Sequence, residues 1–241
     1  MTEREDVLDK QLTIGIILVT FGIVFTLFSH IVLQIVPLTA IGIAAILLGT
    51  TIAITSPQPI PKETIQLLIN SAIQNIEALL EEFTTIEKAI YIPKKEKIYA
   101  YIPLNPNPET KLAQIKNAPQ RLIIKTGEHY GLQLIPLGAE LLKTLEPLEE
   151  RNLEDTLKTM LVDLADIADD VKTAQKDNTI IVEITGTKIE VEAPRYLKTL
   201  GTIPSSIAAA TIAATLKKSV KIVEETIEKR KITAKIQILE E

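Results

Sequence analysis

The sequence predicts an α+β protein: two N-terminal transmembrane helices followed by a soluble domain of antiparallel hairpins packed with amphipathic helices. Three observations support this prediction. Residues 12–55 contain no charged side chain, later segments repeat apolar residues at helical spacing, and short apolar runs occur in pairs around turn residues. Apolar residues make up 46% of the 241 positions and charged residues 24%, so the charges must be concentrated outside the first segment.

Composition excludes several kinds of site. The chain has no cysteine, which rules out disulfides, thiol nucleophiles and cysteine-ligated metals. Of its two histidines, His30 falls near the membrane surface at the end of the first predicted transmembrane helix and His129 in a predicted turn. The formal charge of −5 argues against nucleic acid, whose protein partners present a basic surface. No phosphate-binding glycine loop occurs, and we predict no catalytic residue, no cofactor and no metal.

The uncharged segment is too long for one membrane span. A helix of its 44 residues would measure about 66 Å, roughly twice the hydrocarbon thickness of a bilayer. We therefore predict a membrane hairpin at 12–55, after a tail at 1–11, with spans at about 12–33 and 38–55 and a break near Pro37. The net acidic tail disfavours a signal peptide. The alternative, a helical hairpin buried in a soluble core, needs more surrounding protein than this chain provides.

Small residues recur every seven positions in both spans, which keeps them on one face of each helix. These residues are Gly15, Gly22 and Ser29 in the first span and Gly42, Gly49 and Ser56 in the second. Small side chains let helices in lipid approach each other closely. We predict that the two stripes pack against each other within one hairpin; the alternative is a face for oligomerisation.

Three basic residues suggest an orientation. Arg4 and Lys10 precede the first span and Lys62 follows the second, whereas the connection between the spans has no lysine or arginine. The positive-inside rule then places both ends in the cytoplasm. The predicted localisation is the cell membrane, with two spans and the soluble domain on the cytoplasmic side.

The soluble part begins after a proline-rich tether at residues 56–62. About 180 residues remain, which is enough to bury a hydrophobic core. Periodicity predicts four helices and four hairpins in this part. The helices are 63–83, 136–145, 152–174 and 204–216; the hairpins are 89–92 with 98–102, 122–125 with 132–135, 180–184 with 189–193, and 220–224 with 232–238.

The order of these elements suggests two lobes, 63–150 and 151–241. A helix followed by a hairpin opens each of them, which is consistent with a duplication or with two small α+β lobes side by side. The identity between the halves is too low to establish a repeat.

Two tyrosines on the first hairpin are the candidate surface for a ligand or partner. Tyr99 and Tyr101 are two positions apart, so they share one face of a strand. Aromatic packing within the sheet is the alternative, and the pattern favours it.

Other polar residues have structural interpretations. Asp163, Asp166 and Asp170 are interpreted as a solvated helix face, because a rigid helix cannot wrap a cation as a loop does. Ser205 and Ser206 are interpreted as capping and packing residues at a helix start, since no nucleophile elbow surrounds them.

Residues 152–241 carry, in order, an amphipathic helix, a hairpin, a small-residue helix opened by Pro204, and a closing strand pair with Glu224 and Glu225. In this order of elements the segment resembles the four-vinyl-reductase domain and its relatives in the TRAPP vesicle-tethering complex. The resemblance covers less than half of the chain. It implies a domain that binds small hydrophobic ligands or partner proteins.

Two kinds of function follow from these observations. The first is a membrane-anchored, non-enzymatic binding or scaffold module, with the lipid bilayer and a protein partner or second copy as its partners. The alternative is a membrane-anchored small-molecule sensor or carboxylate-dependent enzyme. A pocket with convergent polar groups would favour the alternative, and a flat apolar patch the first. The 38 isoleucines, with abundant lysine and glutamate, predict a thermophilic, archaeal source.

Overall fold

The uncharged N-terminal segment folds as two helices with a tight connection. Helix α1 (Thr2–Phe28) ends in a π-helical turn (Ser29–Leu33), and α2 (Val36–Ile54) follows. Between them Gln34 adopts a left-handed conformation, φ 50°. Pro37 lies in the first turn of α2, where its missing N–H removes no helical hydrogen bond. The structure, a computed structural model, describes residues 2–54, 62–85, 87–95, 97–105, 112–127, 129–145 and 152–239, with side chains omitted at 2–11 and 62–63.

Both N-terminal helices are long and apolar enough to span a membrane. The qualifying segments, Leu12–Leu33 and Val36–Ile54, have 22 and 19 residues and match the two predicted spans. A third segment, Pro194–Leu216, meets the same criteria of length and hydropathy, but most of it is buried in the second unit described below. The predicted tether lies outside the described residues, apart from its last residue.

The chain divides into two compact units, Met1–Lys62 and Glu63–Glu241. The second unit is built on eight antiparallel strands with helices packed against them. The strands are β1 (Ile90–Lys94), β2 (Lys97–Pro103), β3 (Ile123–Thr126), β4 (His129–Leu134), β5 (Asp170–Lys176), β6 (Thr179–Thr185), β7 (Val220–Glu228) and β8 (Lys231–Ile238). The helices are α3 (Lys62–Glu82), α4 (Leu112–Asn117), α5 (Leu153–Lys158) with a π-helical turn (Thr159–Leu164), α6 (Pro194–Leu200) and α7 (Ile203–Leu216).

All eight strands belong to one sheet, in the order β3-β4-β2-β1-β7-β8-β6-β5. The pairing of Ile90 with Lys221 and of Tyr91 with Val220 joins the strands of the two predicted lobes. The first hairpin of each half sits at a different place, since β1–β2 is next to the centre of the sheet and β5–β6 is at its edge. The predicted lobes 63–150 and 151–241 are therefore parts of one unit, and a duplication stays a prediction; the boundary near 150 lies outside the described residues.

Three of the four predicted hairpins are present, as β1–β2, β3–β4 and β7–β8. The remaining prediction, that 180–184 pairs with 189–193, is wrong. Strand β6 pairs with β5 on one side and with β8 on the other, so neither of its edges is left for residues 189–193. Those residues belong to no strand and do not join the sheet.

Two predicted helices are confirmed, as α3 and α7. The predicted helix 152–174 is too long: helical structure ends at Leu164, and β5 begins at Asp170. The prediction followed the apolar spacing through Val171, but that residue is buried as part of a strand. The predicted helix 136–145 is reduced to turns and a short 3-10 helix, Leu141–Leu145.

One face of the sheet forms the main core with α3, α5, α6 and α7. Tyr91 and the isoleucines of β6 and β8 pack there against the alanines of α7. A smaller cluster on the opposite face packs Tyr101 and the outward residues of β1 against α4. The main core includes residues of α6, α7, β7 and β8, and a cavity lies beside it.

Candidate functional site

A cavity of about 740 Å³ lies in the second unit. Its borders are α3, the segment that follows β6, the start of α7 and the hairpin between β7 and β8. Residues far apart in the chain therefore meet at this place, from Asn70 on α3 to Ile232 on β8. We take this cavity as the candidate functional site because it joins a core surface to a polar rim.

Aliphatic side chains form the apolar wall of the cavity. They are Ile189, Val191, Leu197, Ile203, Ile227 and Ile232. Ile203 and Ile232 also belong to the buried core, whereas Ile227 is 57% exposed. This apolar wall thus extends from the protein interior to the surface.

Polar side chains surround this wall. They are Asn70, Gln74, Thr187, Glu190, Glu192, Thr202 and Lys229. Within the described part of the chain, the side chains of Asn70, Glu190 and Lys229 make no hydrogen bond or ion pair. An amide, a carboxylate and an ammonium are thus available to a bound molecule.

Residues 187–193, here named the strap, form one border of the cavity and are fixed at both ends. The N–H of Thr187 donates to the Arg230 carbonyl at 3.1 Å, and the N–H of Lys188 donates to the Ile167 carbonyl at 3.0 Å. Near the other end, Gln74 Nε2 donates to the Glu192 carbonyl at 3.0 Å. Residues 189–191 make no backbone hydrogen bond to other described residues, so side-chain packing holds the middle of the strap.

Charged groups reinforce the first end of the strap. Lys188 Nζ lies 2.6 Å from Asp166 Oδ1 and 3.2 Å from Asp169 Oδ1. The hydrogen bond to Asp166 raises the pKa of Lys188 above its ordinary value. Arg230 adds hydrogen bonds from Nε to the Thr187 carbonyl at 3.3 Å and from Nη2 to the Gly186 carbonyl at 3.4 Å.

Glu77 on α3 positions α6 at the other end of the strap. Its carboxylate accepts from the N–H of Arg195 at 3.0 Å and from the N–H of Tyr196 at 2.7 Å. These are N–H groups of the first turn of α6, which have no partner within the helix. A carboxylate at that point also offsets the positive end of the helix dipole.

Thr202 lies between the cavity and α7, and it caps that helix. Its hydroxyl accepts from the N–H of Ser205 at 3.4 Å and donates to Glu225 Oε1 at 2.6 Å. The Thr202 N–H also donates to Glu225 Oε2 at 3.1 Å. The prediction of a serine cap is therefore corrected: Ser205 lies 3.0 Å from the Thr202 hydroxyl inside the helix, and Thr202 holds the extended conformation of a cap.

The second serine belongs to a buried tyrosine network. Tyr91 Oη donates to the Leu200 carbonyl at 2.7 Å and lies 2.9 Å from Ser206 Oγ. Burial raises the pKa of Tyr91 well above its ordinary value, and burial raises the pKa of Tyr196 to about 12. Ser205 and Ser206 are fully buried, so a substrate in the cavity cannot reach either hydroxyl without a rearrangement.

Tyr99 and Tyr101, the predicted candidate surface, are buried. Their exposed fractions are 6% and 1%. Tyr101 lies so close to Gly131 that a Cβ at that glycine would come within 2.1 Å of the ring, and its hydroxyl shares a hydrogen bond of 3.3 Å with Thr126. Neither tyrosine presents an exposed surface, because β2 is an inner strand with α4 packed over this face.

The predicted small residues lie between α1 and α2 of the first unit. The described members, Gly15, Gly22, Ser29, Gly42 and Gly49, are all buried. A Cβ at Gly42 would come within 2.2 Å of Thr26 Oγ1, and one at Gly49 within 2.7 Å of Val19 Cγ2. The stripes thus face each other within the hairpin; Ser56 lies outside the described residues.

The three aspartates and the histidines do not meet at one site. Asp163 is in the π-helical turn, Asp166 follows with φ 49°, and Asp170 begins β5, so the predicted common helix face does not exist. Among the described residues, no group of three histidine, aspartate or glutamate side chains is placed to hold a metal. His30 is exposed near the end of the first span and His129 begins β4.

Sequence reasoning missed the cavity, although one signal was present. Gln66, Asn70 and Gln74 repeat at four-residue spacing on α3, beside its apolar stripe. Gln66 and Gln74 bond to backbone carbonyls of the strap, and Asn70 between them lines the cavity. A row of amides next to an apolar stripe indicates contact with unpaired backbone. The other lining residues come from distant segments and carry no local pattern.

Comparison with protein families gives one match. A family described as a domain of unknown function, DUF7982, matches residues 10–238. The chain belongs to the DUF7982 family. The match includes the residues of both apolar helices and of the cavity lining. No curated protein and no solved structure matches the chain.

Proposed function

We propose that this member of the DUF7982 family is a membrane-anchored binding module whose second unit takes a small amphiphilic molecule into the cavity. The observation that carries the proposal is the cavity itself. Its volume of about 740 Å³ lies within the range of roughly 300–1,000 Å³ typical of small-molecule sites. The two apolar helices serve as the anchor.

The lining sets the chemistry of the ligand. Six aliphatic side chains suit a hydrocarbon part, because burying apolar surface is favourable by roughly 25 cal/mol per Å². Asn70 offers an amide, and Glu190 and Lys229 offer opposite charges at the same opening. A ligand with a hydrocarbon body and one polar or zwitterionic end satisfies both halves of the lining.

The proposal assigns binding and no reaction. In the lining, the Thr202 hydroxyl donates to the Glu225 carboxylate, but the same oxygen caps α7 and the residue is 8% exposed. The two serines at the start of α7 are fully buried. The sequence left two functions open, a scaffold module and a small-molecule sensor or enzyme. A cavity with convergent polar groups supports a role in binding a small molecule. A scaffold role for a protein partner or a second copy would require a further surface.

We also propose a membrane orientation and a biological source for the protein. With Arg4, Lys10 and Lys62 on the cytoplasmic side of the spans, the second unit lies in the cytoplasm and senses a cytoplasmic or membrane-derived molecule. The isoleucine content supports a thermophilic, archaeal source.

Native mass spectrometry of the full chain, purified in a mild detergent, tests the proposal. The unsubstituted protein should carry a bound molecule seen as an added mass. Val191→Trp places an indole in the cavity and should abolish that added mass. Leu164→Trp is the matched control, because Leu164 is 44% exposed and does not line the cavity. An added mass that is absent from the unsubstituted protein, or equal in all three, would contradict a ligand in this cavity.

A further inference from the structure

The first half of α3 has an exposed face with an unusual composition. From Thr64 to Ile76 there is no charged residue in 13 positions, although 24% of the chain is charged. Leu67 and Leu68 are 67% and 66% exposed, and Ile65 is 43% exposed. A solvated helix face normally carries charges, so this face is adapted to a less polar surrounding.

The exposed residues form a continuous strip along the helix. At 100° per residue, Thr64, Leu67, Leu68, Ser71 and Asn75 fall on one side of α3. The opposite side is occupied within the second unit, because Ile73 and Leu80 are buried in the core. The strip is therefore a surface that no described part of this unit covers.

The position of α3 in the chain indicates what this surface meets. Residues 55–61 are the whole connection between α2, which is long and apolar enough to span a bilayer, and the start of α3. Even fully extended, such a connection reaches at most roughly 29 Å. Chain length alone thus limits how far the start of α3 can lie from the end of α2, the helix proposed above as part of the anchor.

We propose that the exposed strip of α3 lies on the lipid bilayer, with its leucines in the interfacial region. Leucine and isoleucine side chains enter the boundary between headgroups and acyl chains, while threonine, serine and asparagine can bond to headgroups. The absence of charge fits this contact, since no ammonium or carboxylate has to lose its water there. The inference concerns a different surface from the cavity; it rests on the proposed membrane anchor and does not depend on a ligand.

The cysteine-free chain allows a clean test by single-site labelling. Leu68→Cys and Ser71→Cys, each labelled with a nitrobenzoxadiazole dye, place a polarity probe on the strip of the full chain in phosphatidylcholine vesicles. Leu164→Cys is the matched control, because Leu164 is exposed in the same unit beside Asp163. Circular dichroism checks that all three labelled proteins keep the fold of the unsubstituted chain.

The proposal predicts that both strip probes emit at shorter wavelength than the control probe and are quenched when the vesicles contain lipids with a spin label on the acyl chain. Emission like that of the control at both strip positions would overturn the proposal. A shift to shorter wavelength without quenching by spin-labelled lipid would also overturn it, because a protein surface, such as a second copy, would then cover the strip.

Discussion

Two buried tyrosines near the start of α7 should keep their phenolic protons at high pH. Tyr91 and Tyr196 are 0% and 1% exposed. Removing a phenolic proton in a site without water is unfavourable, which is why burial raises the pKa values of Tyr91 and Tyr196. The folded state therefore retains these protons at a pH where an unfolded chain would lose them.

Alkaline titration should reveal this difference. Stability is fully present below the ordinary tyrosine pKa of 10 and is lost as the pH rises through the raised folded-state values, which for Tyr196 is about 12. We expect the phenolates of Tyr91 and Tyr196 to appear only above pH 10 and together with unfolding. Tyr91→Phe and Tyr196→Phe should each reduce the phenolate absorbance that accompanies alkaline unfolding, which circular dichroism follows in parallel. Loss of the phenolic proton of Tyr91 or Tyr196 near pH 10 while the protein is still folded would contradict this account.

The polar residues at the start of α7 show what sequence can and cannot specify at this scale. Thr202, Ser205 and Ser206 are all hydroxyl residues next to Pro204, and each type is suited to capping. Only the path of the chain after α6 decides that Thr202 caps the helix, because Glu225 on β7 bonds to both its N–H and its hydroxyl. That contact joins residues 23 positions apart, and local pattern does not contain it.

At the scale of elements, periodicity predicted three of the four hairpins and two helices of the second unit, but not all strand partners. The hairpins β1–β2, β3–β4 and β7–β8 have short turns, so local signals were sufficient. The strap alternates apolar and polar residues like a strand, yet it uses its apolar residues to line the cavity. Alternation reports which side of a segment is buried and does not report whether that segment pairs with a sheet.

The prediction that residues 164–174 continue a helix is wrong for a related reason. Ile167, Ala168 and Val171 are buried and spaced as on a helix, but Asp166 has φ 49° and the chain turns there into β5. Three apolar residues in five positions suit either a helix end or a loop that enters a strand. The ion pair between Asp166 and Lys188, which are 22 positions apart, helps to fix the turn.

Helix α7 offers a test of packing within one element. Ala209 is fully buried, while Ala214 near the end of the helix is partly buried. Ala209→Leu should destabilise the second unit by about 1–3 kcal/mol, because the larger side chain must displace neighbours in a filled core. Ala214→Leu is the matched control and should have a smaller effect. Thermal melting of the full chain in detergent, followed by circular dichroism, measures both; equal midpoints for the two variants would show that α7 is not packed as described.

At the scale of the whole molecule, the chain combines an apolar hairpin with a unit that has its own core. The first unit contains the two apolar helices, and their small residues pack against each other. The second unit has one sheet whose two faces carry separate buried clusters. The composition alone indicated this division, because the charges are absent from 12–55 and abundant afterwards. The joining of all strands into one sheet depended on the β1–β7 pairing, which spans more than half of the chain and leaves no local signal.

The central claim is that a membrane hairpin carries an independently folded domain, and truncation tests it most directly. The full chain and a fragment of residues 57–241 should be expressed in parallel. The membranes of both sets of cells should then be washed with alkaline carbonate. The full chain should remain with the membrane, and the fragment should be recovered in the soluble fraction, monodisperse without detergent, with the circular dichroism of a mixed helix and sheet protein and a cooperative melt. A fragment that needs detergent to stay monodisperse or loses its secondary structure, or a full chain that the wash releases, would contradict the account.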